Sequence, residues 1–146
     1  MKTLAVIPAR LGATRLPRKP LRLLAGLPIV VRVLERVREL RVADRCLVAT
    51  DSELIRAEVL RAGGEAVLTD ERHPSGTDRV AEVAARPEFA RFECIVNIQG
   101  DEPFASADVV RAAAALVTEG RFPLGTVACP DTRDVLARPD VVKVAH

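Results

Sequence analysis

A chain of 146 residues is one ordinary domain's length, and a hydrophobic content of 49% excludes a disordered polymer. A net charge of +2 gives the molecule no general pull on nucleic acid, and four Phe with no Trp or Tyr leave few platforms for stacking bases. No apolar run nears the ~20 residues of a membrane-spanning helix, and the first residues read as strand and not as a signal peptide, so the expectation is a cytoplasmic protein with no nucleic-acid or membrane partner.

In chain order, the apolar run 4–7 has β-branched members and is too short for a helix, which predicts a buried strand. Pro8 is expected to end its ladder pairing, having no N–H to donate. A basic loop follows, with Arg10, Arg15, Arg18 and Lys19 and no acidic residue from 1 to 34. Residues 25–28 read as a turn. Residues 29–40 place Ile29, Val30, Val33, Leu34, Val37 and Leu40 at helical spacing. A second buried strand is predicted over 45–50, then a helix over 53–62 capped by Asp51-Ser52 and ended by Gly63-Gly64. A short strand follows at 65–68.

Residues 69–78 are a polar loop leading into a helix to about Ala85, with Ser75 or Thr77 as its N-cap. A fourth strand is predicted from Phe92 to Ile98, and Gln99-Gly100-Asp101-Glu102-Pro103 as a turn. An Ala-rich helix over 107–118 is capped by Ser106 or Asp108. A fifth strand is expected at 124–129, a short helical turn at 134–137, and a further strand at 141–144. Strand and helix alternating at this spacing predict a single α/β domain over 1–146, Rossmann-like, with a mostly parallel sheet and helices on both faces. Cys46, Cys94 and Cys129 lie far apart inside apolar runs and read as reduced core thiols. They form no zinc-spaced set with His73 and His146.

Three loops follow strands and so emerge at one edge of a parallel sheet: the cationic loop 10–19, the polar loop 69–78 and the acidic turn 99–102. Cations and carboxylates in one crevice point to a nucleotide and a divalent metal, the cations holding phosphates and a carboxylate holding the metal. Asp101 after a buried strand suits Mg²⁺ with several waters retained, and Gly100 allows a tight turn before it. No G-x-G-x-x-G follows any strand, which argues against a nicotinamide-binding domain.

The order of residues adds a resemblance. Pro8-Ala9-Arg10 and Thr14-Arg15-Leu16-Pro17-Arg18-Lys19-Pro20-Leu21 are similar to the opening signature of sugar-acid cytidylyltransferases, closest to the 3-deoxy-manno-octulosonate (KDO) cytidylyltransferases. Ala13 stands where Ser is usual and Arg18 where Gly is usual; Arg18-Lys19 resembles the sialic-acid enzymes. Gln99-Gly100-Asp101-Glu102-Pro103 matches the family's metal-site motif without substitution. His73-Pro74-Ser75-Gly76-Thr77-Asp78-Arg79 resembles its base-side loop, with Asp78 for the usual Glu.

The resemblance implies transfer of CMP from CTP to KDO, with pyrophosphate leaving, for lipopolysaccharide precursor synthesis. It implies that Arg10, Arg15 and Lys19 hold the triphosphate and that Asp101 binds Mg²⁺. Pro8, Ala9, His73, Ser75, Gly76, Thr77, Gln99 and Gly100 would contact the nucleotide or sugar. Glu102 is left to the structure of the turn. Family members are considerably longer and dimeric, so the chain is expected to lack a sugar-binding half, a dimerisation segment and a second metal-binding acid. A nucleotidyltransferase for another sugar and a non-catalytic nucleotide-binding module remain alternatives.

Overall fold

The computed structural model describes residues 1–12, 18–128 and 137. Strand β1 (Thr3–Ala9) is buried along its whole length. A 3-10 turn at Lys19–Leu21 leads to a small antiparallel hairpin of β2 (Leu23–Leu24) and β3 (Leu27–Pro28). Ala25 and Gly26, both at positive φ, make its two-residue turn. Helix α1 (Ile29–Leu40), strand β4 (Arg45–Thr50), helix α2 (Glu53–Arg61) and strand β5 (Ala66–Leu68) follow. Then come helix α3 (Gly76–Ala84), strand β6 (Cys94–Asn97) and helix α4 (Ala107–Thr118).

The four long-range strands form one parallel sheet in the order β5-β4-β1-β6. Alternation along β1 sends its side chains to opposite faces. Ala5, Ile7 and Ala9 join Val30, Val33 and Leu34 of α1 and Ile55 and Val59 of α2 in one core. Leu4 and Val6 join Val80 and Val83 of α3, with Phe89 and Phe92, in the other. Each fully buried aliphatic side chain of these layers is worth about 1.5–3 kcal/mol. Helices therefore cover both faces, as the pattern predicts.

Several boundaries differ from expectation. Pro8 does not end β1: it pairs with Ala49, and Ala9 with Thr50. Val6 O accepts from Ile98 N at 3.1 Å, and alternate residues face the same neighbour. Pro8 therefore turns its missing donor toward the side where β6 has already ended, and no ladder bond is lost. Ser52 alone caps α2, its Oγ accepting from Ile55 N; Asp51 has another partner, given below. Ser75 caps α3. Ser106 occupies the cap of α4 without a side-chain hydrogen bond.

The expected fifth strand does not form over 124–128. That stretch instead lies against α4, where a Cβ on Gly125 would come 2.3 Å from Ala113 O. Cys129 and the elements expected at 134–137 and 141–144 fall outside the described residues, apart from Ala137. Cys94 is buried and Cys46 partly so, and both are free thiols. Burial pushes the Cys46 thiol up to about 12 and also raises Cys94. No helix among the described residues is long and apolar enough to cross a membrane.

Candidate active site

The chain leaves β1 outward through β4 to β5, then returns to the other side of β1 as β6. That reversal makes the carboxyl end of β1 a topological switch point, where open parallel sheets bind their ligands. A cleft of about 280 Å³ lies there, lined by Pro8 and Ala9 at the end of β1 and Arg10 just after it, Lys19 and Pro20, Ser75, Gly76 and Arg79 at the start of α3, and Gln99, Gly100 and Asp101 after β6.

Pro8 is the point on which the loops close. A Cβ on Gly100 would stand 2.5 Å from Pro8 O, and one on Gly76 would stand 3.1 Å from Pro8 Cγ. Gly100 has no positive φ. It is needed for this close approach and not, as expected, for an unusual turn conformation. The turn itself is closed by Glu102 N donating to Gln99 O at 3.1 Å.

The lining residues fall into two sets. One is charged: Arg10 is exposed at the end of β1, and Lys19 Nζ donates to Asp101 Oδ2 at 2.5 Å, both side chains being partly exposed. The cation assigned to phosphate and the carboxylate assigned to metal thus face each other across the cleft. Lys19 is presented by a 3-10 turn whose Pro20 is buried and whose preceding residue, Arg18, sits at φ 56.

The other set is polar at the N-terminus of α3. Ser75 Oγ accepts from Asp78 N at 3.2 Å and donates to Asp78 Oδ2 at 2.5 Å. The first N–H groups of α3, at Gly76 and Thr77, precede the helix's internal bonding and point toward its start. Gln99 Nε2 lies 3.4 Å from Asn97 Oδ1, and Asn97 Nδ2 3.5 Å from Thr77 Oγ1, so these side chains form a loose chain beside the cleft.

Of the sequence-assigned residues, Pro8, Ala9, Arg10, Lys19, Ser75, Gly76, Gln99, Gly100 and Asp101 line the cleft. Arg15 lies outside the described residues. Thr77 sits just behind the lining. His73 is placed elsewhere: its Nε2 is 2.6 Å from Oε2 of Glu82, near the C-terminal end of α3. Burial alone would raise the Glu82 carboxyl. Hydrogen bonds from Arg86, from Asp70 N–H and from His73 outweigh it and hold the group down at about 2.

The residue that sequence reasoning passed over is Arg79. It is only 2% exposed. Nη2 donates to Asp51 Oδ2 at 2.9 Å, and Nη1 donates to Thr69 Oγ1. Asp51 directly follows β4 and Thr69 directly follows β5, so one guanidinium ties two strand ends to α3. Its partners are distant in sequence, and no local spacing signals the pair. The available clues were its place at the end of the family-like run 73–79 and its position beside Val80 on the inward face of a helix.

Asp101 is a hard oxygen donor at the cleft, which suits Mg²⁺. Among the described residues no group of three or more His, Cys, Asp or Glu could hold a metal ion. A Mg²⁺ here would rest on Asp101 with phosphate and water oxygens, the mode Mg²⁺ commonly adopts.

This sheet, strand order and cleft define an α/β protein of the nucleotidyltransferase type. The fold matches a solved CMP:2-keto-3-deoxy-manno-octonic acid synthetase complexed with CTP, with a TM-score of 0.73 and 35% identity over 83% of this chain and 49% of that one. It also matches a cytidylyltransferase from Leptospira borgpetersenii in fold, with a TM-score of 0.67 and 22% identity over 83% of this chain and 50% of the other. The model of the cytidylyltransferase family matches residues 4–144, and the chain belongs to that family. A 3-deoxy-manno-octulosonate cytidylyltransferase from Gemmatimonas aurantiaca is 60% identical over 144 residues, 99% of this chain and 56% of the relative. The chain thus spans little more than half the length of that curated relative.

Proposed function

We propose that this chain supplies the nucleotide-binding part of a KDO cytidylyltransferase, which transfers CMP from CTP to a sugar acid and releases pyrophosphate. The observation that carries the reading is the cleft at the switch point, with Arg10, Lys19 and Asp101 on one side and a polar α3 N-terminus on the other. The 60% identity to the Gemmatimonas protein supports KDO as the acceptor.

In this reading Arg10 and Lys19 bind the triphosphate by charge-assisted hydrogen bonds. A sugar hydroxyl oxygen forms a bond to the α-phosphorus as the bond to the pyrophosphate oxygen breaks. The hydroxyl proton passes to solvent. Negative charge grows on the leaving pyrophosphate, and Lys19, already aimed into the cleft, stabilises it there. Asp101 would hold Mg²⁺, which when bound offsets phosphate charge and orients the reacting groups. Gly76 and Gly100 let their two loops close against Pro8 and so shape the floor of the cleft. The chain uses no side-chain nucleophile, so its contribution is positioning and electrostatics.

Pyrophosphate release is the test. Each nucleoside triphosphate is offered with a panel of sugar acids to this chain and to a form extended to the relatives' length. The reading requires CTP-specific release with KDO in the extended form. Release with a different sugar acid alone would reassign the acceptor, and release with ATP or GTP in place of CTP would overturn the nucleotide.

A further inference from the structure

We propose that Asp51 is a positioning residue that sets nucleotide selectivity, acting through Arg79; the inference rests on the cytidylyltransferase reading above. Arg79 lines the cleft, yet its charge is not offered there as a free cation. It is 2% exposed, paired with Asp51 at 2.9 Å and hydrogen-bonded to Thr69. A buried guanidinium without such a partner is strongly disfavoured, so the carboxylate fixes both its place and its net charge.

The cleft is thereby divided electrostatically. Arg10, exposed at the end of β1, and Lys19, whose pair with Asp101 is exposed and therefore weak where the Arg79–Asp51 pair is buried, form the side that draws phosphate. The side made by Ser75, Gly76, Gln99 and the neutralised Arg79 offers hydrogen-bonding groups without net charge. A neutral, polar, planar group such as a nucleobase edge suits it, and a phosphate does not. Asp51 keeps a second phosphate-attracting centre from arising where the base must sit.

The test compares equilibrium binding of CTP and of inorganic tripolyphosphate by the parent chain and its variants. Asp51→Asn exposes the uncompensated charge of Arg79 to the cleft. Tripolyphosphate should bind severalfold more tightly and CTP severalfold more weakly, so that the preference for CTP falls at least tenfold. Asp51→Glu should restore most of the preference. A purely structural role would weaken both ligands together and would not raise tripolyphosphate affinity.

An Asp51→Asn protein with native circular dichroism and an unchanged preference overturns the inference while leaving the cytidylyltransferase reading intact. A parent chain that prefers tripolyphosphate to CTP overturns both. Should Asp51→Asn fail to fold, Asp51→Ser, which also removes the charge, is read in the same way: tighter tripolyphosphate binding with a lost CTP preference is expected, and an unchanged preference overturns the inference.

Discussion

Two glycines against one proline show how much a single methyl group can decide. Ala at Gly100 would put its Cβ 2.5 Å from Pro8 O, a backbone atom that cannot move aside without shifting β1. Ala at Gly76 would meet only the Pro8 ring at 3.1 Å. Gly100→Ala should therefore cost at least tenfold in CTP affinity and about 1–3 kcal/mol in stability, in the range of overpacking. Gly76→Ala should cost much less. Titration calorimetry and thermal melts on the pair check the ordering; equal losses would mean that Pro8 is not the common floor.

At the same scale, Arg18 holds φ 56 with no glycine to ease it. Arg18→Gly should raise stability by about 1 kcal/mol, since a left-handed residue with a Cβ is strained by roughly that amount. A denaturant titration reads it. Lys19→Ala should cost ~1.5–3 kcal/mol of CTP affinity, the range for hydrogen bonds to charged groups, and less for cytidine. Asp101→Asn should weaken Mg²⁺-dependent CTP binding while the melting temperature is held, because the carboxylate is half-exposed and supports no core.

Among the elements, α3 carries the most consequence. It covers one face of the sheet through Val80 and Val83 and delivers Ser75, Gly76 and Arg79 to the cleft. Its far side is fastened by Glu82 to His73, Arg86 and the Asp70 N–H. Glu82 is held at about 2 in the folded protein against its usual 4.5. A depressed carboxyl stabilises the fold above the unfolded value, and that stabilisation is lost as pH falls from about 4.5 through about 2. Acid unfolding followed by circular dichroism should show this loss, and Glu82→Gln should flatten it. Ser75→Ala should cost about 1 kcal/mol as a lost N-cap.

The same helix marks where sequence reading succeeds and where it stops. Its position, cap and inward valines follow from local spacing. So do β1, β4, β6, α1 and α4 to within a few residues, because a buried strand or amphipathic helix announces itself by period. The cleft lining was legible because strand-end loops of a parallel sheet share one edge. Arg79 with Asp51 and His73 with Glu82 were not, since each pairing joins side chains that the sequence leaves ambiguous between surface and core. The strand expected at 124–129 failed for a related reason: an apolar run without a ladder partner is not a strand, and over 124–128 it packs on α4 instead.

For the molecule as a whole, one uncovered apolar surface lies on the flank of α4. Helix α4 has no buried residue, and Val109, Phe104, Phe122 and Leu124 are exposed around it. Strand β6 pairs on one side only among the described residues. Such a surface favours association. Sedimentation velocity should show concentration-dependent oligomers of this chain, and hydrophobic-dye binding should fall when it is extended to the relatives' length. A monomer at high concentration with no dye binding would mean that this flank is already covered.

The strand order also has a consequence for how the protein is made. Strand β1 is translated first, takes β4 as its neighbour on one side, and receives β6 on the other only after about 40 more residues have been added, a wait of some seconds at ~5–20 residues per second. Throughout that interval its second edge is bare, and bare strand edges recruit other chains. The residues that fill the gap are followed at once by Gln99, Gly100 and Asp101. The second edge of β1 is therefore closed and the cleft acquired in one event in the nascent chain.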